Sequence, residues 1–127
     1  MDDGRGVPTL IGETGIPFDL DGKKGFRTND LSTHVTALDN VMQAMDYALV
    51  SFTLWNYTPQ NTNARGDLWN DEDLSLYSTD QKDPNSNDPI YNGGRALAAA
   101  VRPYARKISG LPLAMHFDVD SRVFTFT

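Results

Sequence analysis

Glu13 is the residue of this 127-residue chain best placed to do chemistry. It ends an apolar run that begins at Val7 and stands within Gly12-Glu13-Thr14-Gly15. Glycines on both sides let the backbone turn while the carboxylate faces outward. A carboxylate presented at a strand's exit can attack the anomeric carbon of a sugar or activate water against it. The competing reading is a surface glutamate in a turn. Trp55 ends a second apolar run, Tyr47 to Trp55. An indole at a pocket floor stacks on the apolar face of a sugar ring, and a core tryptophan is the competing reading.

Beyond Trp55 the chain is dense in amides and carboxylates: Asn56, Asn61, Asn63, Asp67, Asn70, Glu72 and Asp73, with Trp69 among them. Sugar hydroxyls need paired donors and acceptors, which these groups supply. On composition alone, a solvated acidic loop explains the stretch better. Asp83-Pro84-Asn85-Ser86-Asn87-Asp88 opens like a calcium loop, but Asp88 stands where glycine is required and Gly94 where glutamate is required. No metal or cofactor is expected. His34 and His116 lack a serine or acid at informative spacing and read as structural or surface residues. Asn56-Tyr57-Thr58 fits a glycosylation sequon, yet it follows a buried strand directly and is expected to stay unmodified.

These residues need elements to hold them. Val7 to Glu13 reads as a buried strand, and Ile16 to about Asp30 as a polar, glycine-rich loop. Residues 31–46 place Val35, Leu38, Val41, Met42 and Met45 on one helical face, and Asp30 or Ser32 can cap the start. The run 47–55 reads as a strand buried on both faces. Ala48, Val50, Phe52 and Leu54 form one side; Tyr47, Leu49, Ser51, Thr53 and Trp55 form the other, suited to a cramped barrel interior. Residues 57–92 show no period. They hold seven acids against two bases, so most of the net charge of −6 sits there. Trp69, Leu74, Leu76 and Tyr77 argue that the first half of this stretch is packed, and 78–92 reads as looser surface. A second helix is expected from Arg95 to Ile108 with Leu97, Val101, Tyr104, Ala105 and Ile108 as its apolar face, kinked or restarted at Pro103. The tail alternates as a hairpin, Leu113–Val119 and Val123–Thr127, turning at Asp120-Ser121-Arg122.

Composition removes several classes of function. The acidic balance gives no footprint for nucleic acid. The absence of cysteine removes disulfide scaffolds, zinc–thiolate sites and thiol nucleophiles, and suits a reducing compartment such as the cytoplasm. No apolar run approaches the ~20 residues of a membrane span. The order strand, helix, strand, long loop, helix, hairpin is α/β with a β addition. Two parallel strands and two helices neither close a sheet nor cover its edges. The chain is therefore expected to be part of something larger: a partial gene product or one piece of a split protein.

Several segments resemble glycoside hydrolase family 5, in its endoglycoceramidase-like branch. Ile11-Gly12-Glu13-Thr14-Gly15-Ile16-Pro17 resembles the nucleophile strand. Phe52-Thr53-Leu54-Trp55-Asn56-Tyr57-Thr58-Pro59 with Asn61-Thr62-Asn63 is similar to the eighth barrel strand and its loop. Gly66-Asp67-Leu68-Trp69-Asn70-Asp71-Glu72-Asp73-Leu74-Ser75 continues the resemblance, as do Gly94-Arg95-Ala96-Leu97 and Arg102-Pro103-Tyr104. The likeness extends to fungal glucosylceramidases and sterol-glucoside β-glucosidases.

The resemblance implies the last two βα units of a TIM (β/α)8 barrel in residues 1–110 and the first hairpin of a C-terminal β-sandwich in 111–127. It implies a retaining mechanism with Glu13 as nucleophile and Trp55 lining the sugar subsite. Asn61, Trp69, Asn70 and Glu72 would shape the pocket rim. The substrate would be a glycoside or glycolipid. The missing N-terminal part of the barrel would be the partner. A retaining glycosidase needs a second carboxylic acid ~5–5.5 Å from the first, and the family carries it after an asparagine on the fourth strand. This chain has no Asn-Glu pair, and its only glutamates are Glu13 and Glu72. The isolated chain is therefore expected to be inactive. The alternatives are a non-catalytic sugar-binding module using Trp55 and Trp69, or an inert fragment that needs a partner.

Overall fold

The computed structural model describes residues 8–127. Val7, where the first strand is expected to begin, lies outside the described residues. Strand β1 is Leu10–Thr14. A short helix follows, α1, Leu20–Thr28, which opens on three left-handed residues, Asp21, Gly22 and Lys23. Then come the long helix α2, Ser32–Ala48, and strand β2, Ser51–Leu54. A 3₁₀ turn at Thr79–Gln81 interrupts the long irregular stretch. Helix α3, Leu97–Ala100, precedes a hairpin of β3, Met115–Phe117, and β4, Phe124–Phe126.

β1 and β2 pair in parallel, with Leu10 opposite Ser51 and Ile11 opposite Phe52. The register slips before Thr14, which sits opposite Leu54. Such a connection requires a crossover, and α2 supplies it. The α2 face read from its periodicity is the face that packs. Leu38 and Met42 are buried, with Val35 and Val41 beside them against the same core. Ile16, Phe18, Ala96 and Ala99 complete that core, and Phe52 and Leu54 of β2 pack onto it. Full burial of Phe18 and Leu38 contributes about 1.5–3 kcal/mol each. Ser51 and Thr53 point the other way and are exposed, so β2 is not buried on both faces as expected, and β1, expected to be buried, is exposed at Leu10, Gly12 and Glu13, because only one face of this two-stranded sheet is covered by the helices. At the start of α2, Asp30 accepts the Ser32 N–H at 3.0 Å, which holds its carboxyl below the usual carboxylate range.

Three boundaries differ from the sequence reading. The expected loop 16–30 contains α1, because Gly25 and Phe26 pack inward; a Cβ at Gly25 would press on His34 and Leu31. Helix α2 runs on to Ala48 and stops at Leu49 in the left-handed conformation, so Tyr47 and Ala48 belong to the helix and not to the strand. The second helix is one turn instead of 95–108. Val101 leaves helical geometry, and Pro103 has no N–H to continue and disfavours a helical Arg102 before it. Val101, Tyr104 and Ile108, expected on a buried face, are exposed. The hairpin is antiparallel and pairs Met115 with Phe126 and Phe117 with Phe124. Asp118 accepts the backbone N–H of Ser121 and of Asp120 in its turn. Those bonds, Ser121's first, lower the Asp118 carboxyl pKa.

Candidate active site

β1 and β2 deliver their exits to one place. Thr53 Oγ1 donates to the Gly12 carbonyl, and the Trp55 N–H donates to the Thr14 carbonyl at 2.7 Å. Both neighbours of Glu13 are thus tied to β2 while the Glu13 side chain stays exposed. A Cβ at Gly15 would collide with the Trp55 carbonyl oxygen, so only glycine lets the chain pass there. Glu13, Thr14, Gly15, Trp55 and Leu74 line an open cleft of about 340 Å³. Trp55, 38% exposed, also forms a wall of an adjoining cleft of about 470 Å³ with Asn56, Tyr57, Asp67 and Trp69. The Trp55–Asn56 peptide is cis.

The other expected rim residues divide. Trp69 is 60% exposed and lines the second cleft together with Trp55, so it offers surface and is not the packing residue expected of this loop. Asn70 and Glu72 line a separate cleft of about 700 Å³ with Asp19, Lys23 and Arg65, which neither Glu13 nor Trp55 reaches. Asn61 is fully buried. Its side-chain amide donates to Asp73 at 2.8 Å and its backbone carbonyl accepts from the Thr79 N–H, so it shapes the loop from inside.

The loop is fixed by polar groups where no sheet is available. Asp67 accepts from the Asn56 amide at 2.8 Å and from the Trp69 N–H at 3.0 Å. The Ser75 hydroxyl accepts the N–H groups of Thr58 and Tyr77. Asn56 pairs its N–H with the Leu74 carbonyl and its carbonyl with the Leu76 N–H. The Asn56 amide, the nitrogen of the sequon, is already engaged. Residues 79–91 are mostly exposed, in keeping with the looser surface read there.

Two buried cations organise the surroundings, and the sequence reading missed both. Arg95 is fully buried and forks onto the Asp73 carboxylate and the Ser75 carbonyl. Arg102 bridges Asp39 and Asp46 of α2 and lies over the Phe117 ring. Burial pushes the Asp46 carboxyl pKa up, and the Arg102 charge offsets this only in part. A signal for this second cluster existed. Asp39 and Asp46 stand seven residues apart and so share a helix face, beside the apolar stripe of α2. His34 is structural: buried, stacked parallel to Phe18 at 5.5 Å, with Nε2 3.0 Å from the Phe18 carbonyl. Among the described residues no group of three or more His, Cys, Asp or Glu could hold a metal ion, and no helix is long and apolar enough to cross a membrane.

Comparisons with known proteins converge on one family. Residues 102–127 match the glycoside hydrolase family 5 C-terminal domain. The chain is 37% identical to a glucosylceramidase of Rhizopus delemar over 94% of this chain and 19% of that protein. It is 43% identical to an ergosteryl-beta-glucosidase of Saccharomyces cerevisiae over 73% of this chain and 11% of that protein. A crystal structure of Cryptococcus neoformans sterylglucosidase 1 superposes with a TM-score of 0.86 at 38% identity, over 94% of this chain and 19% of that one. The chain thus spans about a fifth of the length of the first of these relatives.

Proposed function

This chain belongs to glycoside hydrolase family 5 and corresponds to the C-terminal region of such an enzyme; on that premise we propose that it supplies the nucleophile of a retaining β-glycosidase acting on glycosylated lipids. The observation that carries the reading is the shared cleft, in which an exposed Glu13 and the Trp55 indole leave neighbouring parallel strands at the same end. Carbonyl-end clefts of parallel strands are where β/α barrels bind substrate. Residues 1–110 would then be the last two βα units of a (β/α)8 barrel, and 111–127 the first hairpin of a C-terminal β-sandwich. The rest of the barrel would pair with the free edges of β1 and β2 and cover their exposed inner face.

In this reading the Glu13 carboxylate attacks the anomeric carbon. The C–O bond to the aglycone breaks, and the departing oxygen takes a proton from an acid. A glycosyl ester on Glu13 results, which water then hydrolyses. Trp55 lines the sugar subsite and Trp69 its outer rim. The acid would come from the rest of the enzyme: among the described residues no second carboxylate lines the Glu13 cleft, and Glu72 opens into the separate Asn70 cleft. The lipid aglycone is inferred from the names of the relatives, a glucosylceramidase and an ergosteryl-beta-glucosidase.

The test has two arms. In an active enzyme that includes this chain, Glu13→Gln is expected to abolish hydrolysis of an aryl β-glucoside, and Trp55→Ala to raise KM. The 127-residue chain alone is expected to release no aryl alcohol. Full activity of the Glu13→Gln enzyme, or sustained turnover by the isolated chain, contradicts the proposal. Calorimetric binding of glucosides by the isolated chain, lost in Trp55→Ala and Trp69→Ala, would favour a binding module instead.

A further inference from the structure

Arg95 lies behind the cleft wall without lining the cleft, and two segments, residues 73–76 and the chain around Phe18, meet on it. Its Nη1 donates to Asp73 at 3.1 Å, its Nε donates to the Ser75 carbonyl at 2.9 Å, and its own N–H donates to the Leu76 carbonyl at 2.8 Å. The segment 73–76 is thereby held at three of its four positions, Asp73, Ser75 and Leu76. That segment clamps Asn56 on both backbone groups, immediately beyond Trp55, and contributes Leu74 to the cleft. On its other face the Arg95 guanidinium lies over the Phe18 ring at 4.1 Å. Phe18 follows the Glu13 turn, is fully buried, and donates its N–H to the Asp73 carbonyl at 2.6 Å. A planar fork stacked on a ring is an arrangement that lysine cannot reproduce.

We propose that Arg95 is a positioning residue: through Asp73, Ser75 and Phe18 it sets the placement of the Glu13 turn against the Trp55–Asn56 wall. The proposal rests on the reading of Glu13 and Trp55 as site residues. It adds that their alignment is governed by one buried guanidinium that never meets substrate.

The experiment compares wild type with Arg95→Lys in an active enzyme that includes this chain, by hydrogen exchange and steady-state kinetics. Exchange should accelerate at the amides of Phe18, Asn56 and Leu76, while those in the middle of α2, around Leu38 and Met42, keep their protection. kcat should fall on the order of ten- to a hundredfold, as misplacement of a reacting group predicts, with KM nearly unchanged. Phe18→Leu, which removes the stacked ring but keeps apolar bulk, should reproduce the pattern more weakly and carries the test if Arg95→Lys does not fold. Unchanged exchange at the three amides, or acceleration spread equally across α2, overturns the proposal. Because exchange does not depend on turnover, it is distinguishable from failure of the nucleophile reading, which the Glu13→Gln assay reports alone.

Discussion

Two stretches of this molecule lack regular structure, and they behave differently. Residues 56–78 are held by side chains that fold back onto the chain: Asp67 and Asp73 are buried, Asn61, Ser75 and Ser78 are fully so, and the fully buried Arg95 reaches them from beyond the stretch. Residues 101–114 are held at their two ends, by Arg102 on Asp39 and Asp46 and by backbone pairing of Leu113 and Ala114 with Thr127, and between them Tyr104, Ile108 and Leu111 are exposed. One buried cation serves each stretch: Arg95, from outside it, the first, and Arg102 the second. In the first the cation satisfies backbone carbonyls as well as a carboxylate, so it fixes a path. In the second it ties a single point of the tail to a helix. Irregular backbone becomes rigid where its polar groups are paired inside the protein, and a site wall requires that.

The contrast can be broken or sharpened by substitution. The largest effect is expected from Arg95→Met, which leaves Asp73 buried and uncompensated; breaking such a pair costs about 3–5 kcal/mol, read from the urea midpoint. Arg102→Ala should cost less, near ~3 kcal/mol, the low end of that range. Asp46 is already displaced toward its neutral form and can take up a proton when its partner is lost.

The Asp46 displacement has its own pH signature. Its pKa is raised on folding, so above the unfolded value of 3.8 the folded state binds more protons than the unfolded one. Stability therefore declines as pH rises through the window between the unfolded and the folded pKa. Asp46→Asn should flatten that part of a stability–pH profile. Asp118 has the opposite sign: its pKa is lowered, so its contribution is present at neutral pH and lost as pH falls through the folded pKa.

Ser75→Ala should cost about 1–3 kcal/mol, because two loop N–H groups, those of Thr58 and Tyr77, lose their acceptor. Tyr104→Ser in the exposed tail should fall within ~0.5 kcal/mol of wild type. A Tyr104 effect as large as that of Ser75 would erase the distinction between the two stretches.

Where pattern follows local geometry, the sequence was legible. The α2 stripe, the two faces of β2, the tail hairpin and the exposed Glu13 at a strand's exit all follow from periods of 3.6 or 2 and from turn residues. What escaped depends on contacts between distant segments. Nothing local marks α1, which forms because Gly25 and Phe26 meet α2. No buried role for Arg95 or Arg102 emerges from the sequence, because arginine is seldom fully buried without a partner and their partners lie 22 and 56–63 residues away. Asn61 reads as a sugar-binding amide for the same reason, since its burial depends on Asp73. Pro103 was visible, but its consequence, that the helix ends before it and does not resume, depends on Arg102 being drawn to α2.

Glu13 as the nucleophile can be trapped directly. An active enzyme that includes this chain, incubated with a 2-deoxy-2-fluoro-β-glucoside and digested, should yield one covalently glycosylated peptide by mass spectrometry, with the sugar on Glu13. An adduct on Glu72 or on any other residue, with Glu13 unmodified, would contradict it.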